Sequence, residues 1–344
     1  MNRAALVKIA QAFDRAIYRL KKVGADWEEL QAIADQNQGD VQTAFSAAVS
    51  HYRDSLDITE LQQNLAQIAG EVDESDMTSL LPWDAYQAIL KGYLTPAILK
   101  VVLKCGVKAT EQLQSIGITG SFALNNPYAK EWVDQHVGDL ITQVTDDQKL
   151  GVKKLIGFAM DNGGHPYSTA KTIKTFIGLH SRQVAAVINY QDTLTQQGDQ
   201  TAQQVNDATD AYGRRLLEYR SELIARTETI DSLCGGQQAA WQQATSDGLL
   251  PDTMVQEWIV TDDDRTCLAC LDMEGKTAPI GGQFHSDDFG DVDGPTLHPD
   301  CRCCLGIKEV KGDGSEDDTA SNGDDTTTDD QPDQNDTAET DQAE

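Results

Sequence analysis

The sequence has no run of about 18 uninterrupted apolar residues, which excludes a helix that crosses a membrane. Its first twenty residues carry Arg3, Lys8, Asp14, Arg15 and Arg19. They lack the apolar block of about 7–15 residues that a secretory signal needs, so the chain is expected in a reducing compartment. Aromatic residues make up only 6%, few for a β-rich protein. Basic residues are also scarce. The 27 Lys+Arg face 56 Asp+Glu, for a formal net charge of −29. That balance argues against a protein whose whole surface grips nucleic acid. No glycine-rich Walker loop, no His-Glu-x-x-His pair and no Gly-x-Ser-x-Gly elbow occurs.

What is present is enough apolar residue, 39% of 344, for ordinary cores in two or three compact units. Charge is unevenly placed. Residues 312–344 hold 13 acids, no Lys or Arg, and no Val, Ile, Leu, Phe, Tyr or Trp. Such a stretch cannot bury enough apolar surface to offset its ordering entropy, so a disordered acidic tail is expected. Residues 1–311 keep 43 acids against 27 bases, a net of −16.

Apolar residues at helical spacing predict a mainly α protein. Leu6, Ile9, Phe13, Ile17 and Leu20 mark one amphipathic helix, and Leu61, Leu65, Ile68 and Val72 another. The acidic stretch 73–79 reads as a break. Helices are expected over 86–93 and, after Pro96, over 97–104. Asn126-Pro127 opens one over 128–144, and Thr145 to Gln148 reads as a capping box for the next. Gly163-Gly164 ends that one, and helices over 168–178, 181–189 and 208–232 follow. Gly235-Gly236 reads as a break before a short extension over 239–244. After Gly248 the texture changes: 255–261, 276–280 and 305–310 are strand candidates among turn signals. The organisation is therefore a helical N-terminal extension (1–80), a helical body (81–248), a small α+β Cys/His module (249–311) and the acidic tail (312–344).

Seven cysteines are unequally shared. Cys105 and Cys234 fall in helical stretches and read as buried small apolar residues. The other five lie within 38 residues: Cys267-Leu-Ala-Cys270, then His298-Pro-Asp-Cys301-Arg-Cys303-Cys304. Two short ligand pairs separated by a loop suit a tetrahedral structural zinc, which would close a fragment with little core of its own. Cys267, Cys270, His298 and Cys301 are the first candidate set, with Cys303 able to replace His298. Free thiols and disulfides are the competing readings. Four good ligands leave no open position for an activated water, so a non-enzymatic role is expected.

The order of certain residues resembles a known family. Ile224-Ala-Arg226-Thr-Glu228 is followed by Trp258, Asp263, Arg265-Thr-Cys267, Cys270, Gly275-Lys276, Phe284, Pro295 and Leu297-His-Pro-Asp-Cys-Arg302-Cys303. Together these resemble the phage Mu F-like head-morphogenesis proteins. Upstream, Asn126-Pro127, Glu131-Trp132, Ile177-Gly-Leu179 and Arg182-Gln183 are similar to the helical part of that family. The likeness spans about residues 120–307, and Cys304 departs from it as an extra thiol.

The resemblance implies a minor capsid protein of a tailed bacteriophage, made in the bacterial cytoplasm and carried in the virion head. Its implied partners are the portal protein and other head proteins and, in some members, packaged DNA, with no membrane. The alternative from the residues alone is a zinc-dependent nucleic-acid-binding or nuclease-like module. Lys153-Lys154 and Arg214-Arg215 are its best basic spots, though a solvated helix face is the simpler reading of each. Arg226 and Glu228 stand two apart on a helix and cannot face the same way. Each is expected to pin the helix to the module or to lie in solvent. Trp258 is expected in the core, and Arg265 and Arg302 are expected to brace the knuckles against 262–264.

Overall fold

The computed structural model describes residues 27–68, 72–123, 125–261 and 265–310. The expected helix at 6–20, the carboxylates at 262–264 with Asp263 among them, and the acidic tail lie outside those residues. The described chain is mainly α-helical, with a small strand module that carries the Cys/His cluster near its C-terminal end.

Eight helices come first: α1 (Trp27–Ser55), α2 (Ile58–Leu65), α3 (Glu74–Leu80), α4 (Trp83–Ser115), α5 (Pro127–Asp161), α6 (Pro166–Phe176), α7 (Ser181–Gln197) and α8 (Ala202–Ser246). Then follow β1 (Met254–Ile259), α9 (Leu268–Met273), β2 (Thr277–Pro279), β3 (Phe284–Ser286), β4 (Gly290–Val292) and β5 (Cys304–Glu309). Strand β1 is central in an antiparallel sheet of order β2-β1-β5, with Trp258 opposite Leu305 and Ile259 opposite Cys304. Strands β3 and β4 form a separate hairpin.

Several helices are longer than the local signals predict, and packing supplies the reason. Helix α4 runs through Pro96 without stopping. An interior proline costs about 3 kcal/mol. Leu90, Leu94, Ile98 and Val102 are all fully buried on either side of it, and their burial outweighs that cost. Helix α8 likewise passes through Gly235-Gly236. A Cβ on Gly236 would lie 2.3 Å from the Val102 carbonyl oxygen, and one on Gly235 would lie 2.3 Å from the Trp132 ring. The pair is therefore a close crossing of α8 with α4 and α5, not a break.

Thr145 is buried in the middle of α5 and starts no helix. Its neighbours serve another element. Gln148 accepts the Gly178 N–H at 2.6 Å, and Asp147 accepts the Ser181 N–H at 3.1 and 3.2 Å where α7 begins. Arg220 of α8 reaches both partners, at 2.8 Å from the Gly178 carbonyl and 3.3 Å from Asp147. The acidic stretch 73–79 is helix α3 and not a gap: Asp73 and Asp76 exchange side-chain and backbone hydrogen bonds in a capping box.

Two apolar clusters fill the interior. One runs from Phe45 through α4, α5, α6 and α7 to Ala239. The other joins Leu30 and Val41 of α1, Cys105 and Leu113 of α4, and Leu233 and Trp241 of α8 to Trp258, Phe284, Leu305 and Ile307. The strand module thus shares its core with three helices.

Candidate metal centre

The site is built from two turns and one helix. Cys267 is the N-cap of α9, where its sulfur accepts the Cys270 N–H at 3.4 Å as a serine hydroxyl would. This three-residue spacing brings both sulfurs to one side. The second turn spans 298–301, closed by Cys301 N–H on the His298 carbonyl at 3.1 Å. Asp300 sits there at φ +66°, a left-handed conformation that aspartate tolerates better than most residues.

Helix α8 holds that turn in place. Arg226 Nε lies 2.7 Å from Asp300 Oδ1, and Thr227 Oγ1 accepts the Asp300 N–H at 3.1 Å. Further along, Asp231 accepts the Thr296 N–H at 2.7 Å, Gln237 donates to the Leu305 carbonyl at 3.0 Å, and Gln238 donates to the Asp293 carbonyl at 2.6 Å. Thr227, Asp231 and Gln238 recur at helical spacing, so one polar stripe of α8 faces the module.

The two turns converge. His298 Nε2 lies 3.2 Å from Cys267 Sγ and 3.2 Å from Cys270 Sγ, and Cys270 Sγ lies 3.7 Å from Cys301 Sγ. Cys267, Cys270 and His298 form one group whose donor atoms lie within 4.8 Å of one another. Cys270, Cys301 and Cys303 form a second such group, and Cys270 is common to both. A cavity of about 20 Å³ lies among them, enough for one small ion. With metal–sulfur bonds of about 2.3 Å, the sulfur–sulfur edge of a tetrahedron is about 3.8 Å. The Cys270–Cys301 separation matches that edge, and the cluster could hold a metal ion.

The protonation pattern points the same way. Hydrogen bonds from the Cys270 and Cys303 thiols hold Cys301 far below the ordinary thiol range. Cys270 is pushed up chiefly by its bond to Cys301, and Cys303 by its bonds to Cys270 and Cys301. Burial raises Cys267, but the Cys270 amide and thiol and His298 bring it below its usual value. A cation placed among these sulfurs would displace the shared protons and bind the sulfurs as thiolates. His298 Nδ1 lies 2.9 Å from the Pro299 carbonyl. That contact places an N–H at Nδ1, so the neutral imidazole carries its lone pair on Nε2, the atom that faces the thiols.

All seven cysteines are among the described residues, and no two of their sulfurs are bonded. Cys304 stands in β5, buried, in neither group. Cys105 and Cys234 are buried in helices, where burial raises both thiols.

Other residues singled out by sequence have distinct places. Trp258 is fully buried on β1, edge-on to Phe284 at 5.3 Å. The Arg302 carbonyl accepts from Thr261 Oγ1 at 2.7 Å, and Arg265 lines the small cavity. Glu228 points away from the module to α5, where its Oε2 lies 2.6 Å from His136 Nε2. Lys154 donates to the Ser181 carbonyl at 3.1 Å, and Arg215 lies 5.8 Å from the Tyr212 ring centre, so each basic pair has one member engaged within the protein. Sequence reasoning missed Asp231, Gln237, Gln238 and His136. The spacing of Thr227, Asp231 and Gln238 was the available signal. Among the described residues, no helix is long and apolar enough to cross a membrane.

Comparison with family models, with curated proteins and with solved structures finds no match to this chain.

Proposed function

We propose that this chain is a minor head protein of a tailed bacteriophage that acts in head morphogenesis at the portal vertex. The helical body presents the surface that meets portal and head proteins. A structural zinc held by Cys267, Cys270, His298 and Cys301 locks the terminal module onto α8. Thiolate and imidazole donors suit zinc. Cys303 then donates its S–H toward the Cys301 thiolate rather than binding metal. Four ligands complete the shell, so the ion fastens the fold and performs no chemistry.

One observation carries this reading. The two ends of the motif set that resembles the Mu F-like family are 70 or more residues apart in sequence, yet they meet. Arg226 of the Ile224–Glu228 segment pairs with Asp300 of the His298–Cys303 segment at 2.7 Å. Residues related only by order along the chain form one contact unit. Upstream members of the set also hold corners of the fold. Asn126 caps α5 by accepting the Ala129 N–H at 3.0 Å, and Gln183 donates to the Leu216 carbonyl at 2.9 Å.

The test is co-expression with portal and coat proteins from the genome that carries this chain, followed by sedimentation of the assembled heads. The full chain should co-sediment with heads, and Cys270→Ser should be depleted from them. Absence of the unaltered chain from heads would contradict the proposal. Filter binding to DNA at two salt concentrations separates the nucleic-acid reading. That reading requires tight binding that falls steeply with salt, whereas the net charge of −29 predicts little binding at either.

A further inference from the structure

Away from the thiols, two helices bring a second set of metal-type donors together. His136 comes from α5, and Glu228 and Asp231 come from α8, one turn apart and so on one face. Their donor atoms lie within 4.8 Å of one another. Glu228 is buried and Asp231 half-buried. Trp132, one turn before His136, stacks on the imidazole with ring centres 4.3 Å apart and planes 14° apart. Gly235 is what admits that indole to the groove, since any Cβ there would strike it. The imidazole plane is therefore set by packing. The Asp231 carboxylate is set by the Thr296 N–H on Oδ1. Orienting contacts of this kind are what metal ligands require from their surroundings.

His136 and Asp231 line a cavity of about 360 Å³ between α5, α8 and residues 291–296, with Glu228 buried behind them. Asp291 and Asp293 line the same cavity. A single ion pair between His136 and Glu228 would occupy one carboxylate and leave Asp231 facing the same point. A dication satisfies both carboxylates and the imidazole together.

We propose that His136, Glu228 and Asp231 hold a divalent metal ion of the class that prefers nitrogen and oxygen donors, with its remaining positions open to the cavity. One imidazole and two carboxylates suit manganese, iron(II), cobalt or zinc rather than a thiol-seeking ion. The site shares no ligand with the Cys/His centre. Through Thr296 it ties α5 and α8 to the segment that enters the His298 turn, so a bound ion stiffens the approach to the first centre. The proposal does not rest on the phage assignment.

Manganese(II) is the discriminating probe, because thiolates take it poorly and the thiol centre can be filled with zinc beforehand. The full chain, given a single equivalent of zinc so that the thiol centre fills first, is titrated with Mn²⁺ while electron paramagnetic resonance reads the free aquo ion. One tight equivalent should bind. Glu228→Gln with Asp231→Asn should weaken it by at least about 100-fold, beyond the usual cost of changing only an orienting partner. Cys303→Ser, which keeps its zinc, should leave Mn²⁺ binding intact. Weak binding to the acids of residues 312–344 should persist unchanged in every variant. If far-UV circular dichroism shows the double variant misfolded, Asp231→Asn alone serves, with an expected loss of at least about 10-fold. Equal Mn²⁺ binding by the unaltered chain and a folded variant would overturn the proposal, as would absence of a tight equivalent.

Discussion

Arg226 and Glu228 show what a spacing rule can and cannot tell. Two positions apart on a helix, they must diverge, and they do: one reaches Asp300 in the module, the other His136 in α5. The divergence was legible, but the partners were not, because His136 lies 92 residues from Glu228 and nothing local marks it. Cysteine spacing was more informative, since short pairs carry their own turn geometry. It left the fourth ligand open, and His298 Nδ1 on the Pro299 carbonyl is the detail that favours the imidazole. Cys270→Ser should therefore abolish stable zinc binding, whereas Cys303→Ser should retain about one equivalent, as read by metal analysis after gel filtration. Asp231 supports a second prediction. Burial, and then the Glu228 charge, raise its carboxyl from an ordinary 3.8 to about 8. An acid with a raised folded pKa binds more protons folded than unfolded, so stability falls as pH rises from about 4 to about 8. In His136, burial lowers the pKa but the bond to Glu228 more than restores it, and its net rise acts in the same direction. Urea unfolding of metal-free protein should show that decline, and Asp231→Asn should flatten much of it.

At the scale of elements, local punctuation misled where tertiary packing ruled. Pro96, Thr145 and Gly235-Gly236 all looked like boundaries, and each lies inside a helix of 33 residues or more. A glycine marks a break or a close crossing with the same letter, and only its neighbours decide. The two kinds should respond oppositely to alanine. Gly236→Ala should destabilise the protein by about 1–3 kcal/mol, because the new Cβ meets the Val102 carbonyl. Gly138→Ala on α5 meets nothing within 4 Å and should stabilise by about 0.5–1 kcal/mol. Thermal unfolding of the two variants checks both signs. Helix α1 falls in the stretch 1–80 expected to be helical, but its bounds were not marked, although Val41, Phe45, Ala48, Val49 and Tyr52, all buried, stand at helical spacing. Strands β3 and β4, three residues each, are too short for alternation to reveal. Strands β1 and β5, six residues each, were legible to within a residue or two.

Across the described molecule, the mainly helical class and the C-terminal strand module were readable from periodicity and from the change of texture after Gly248. The sharing of one core between that module and α1, α4 and α8 was not, because it joins Leu30 to Ile307. That shared core sets how far a disturbance travels. Phe284→Ala should cost about 3–5 kcal/mol, and the loss should be felt in the helices as well as the strands. The same argument makes metal removal a global event, since the turn that Arg226 and Thr227 hold is also the turn that carries His298 and Cys301. The most direct measurement is simultaneous metal and thiol analysis of the native full chain purified without added zinc. The account predicts about one zinc per chain, released as Cys267, Cys270 and Cys301 are modified by a thiol reagent. A chain with no bound metal whose exposed and buried thiols react independently would contradict it.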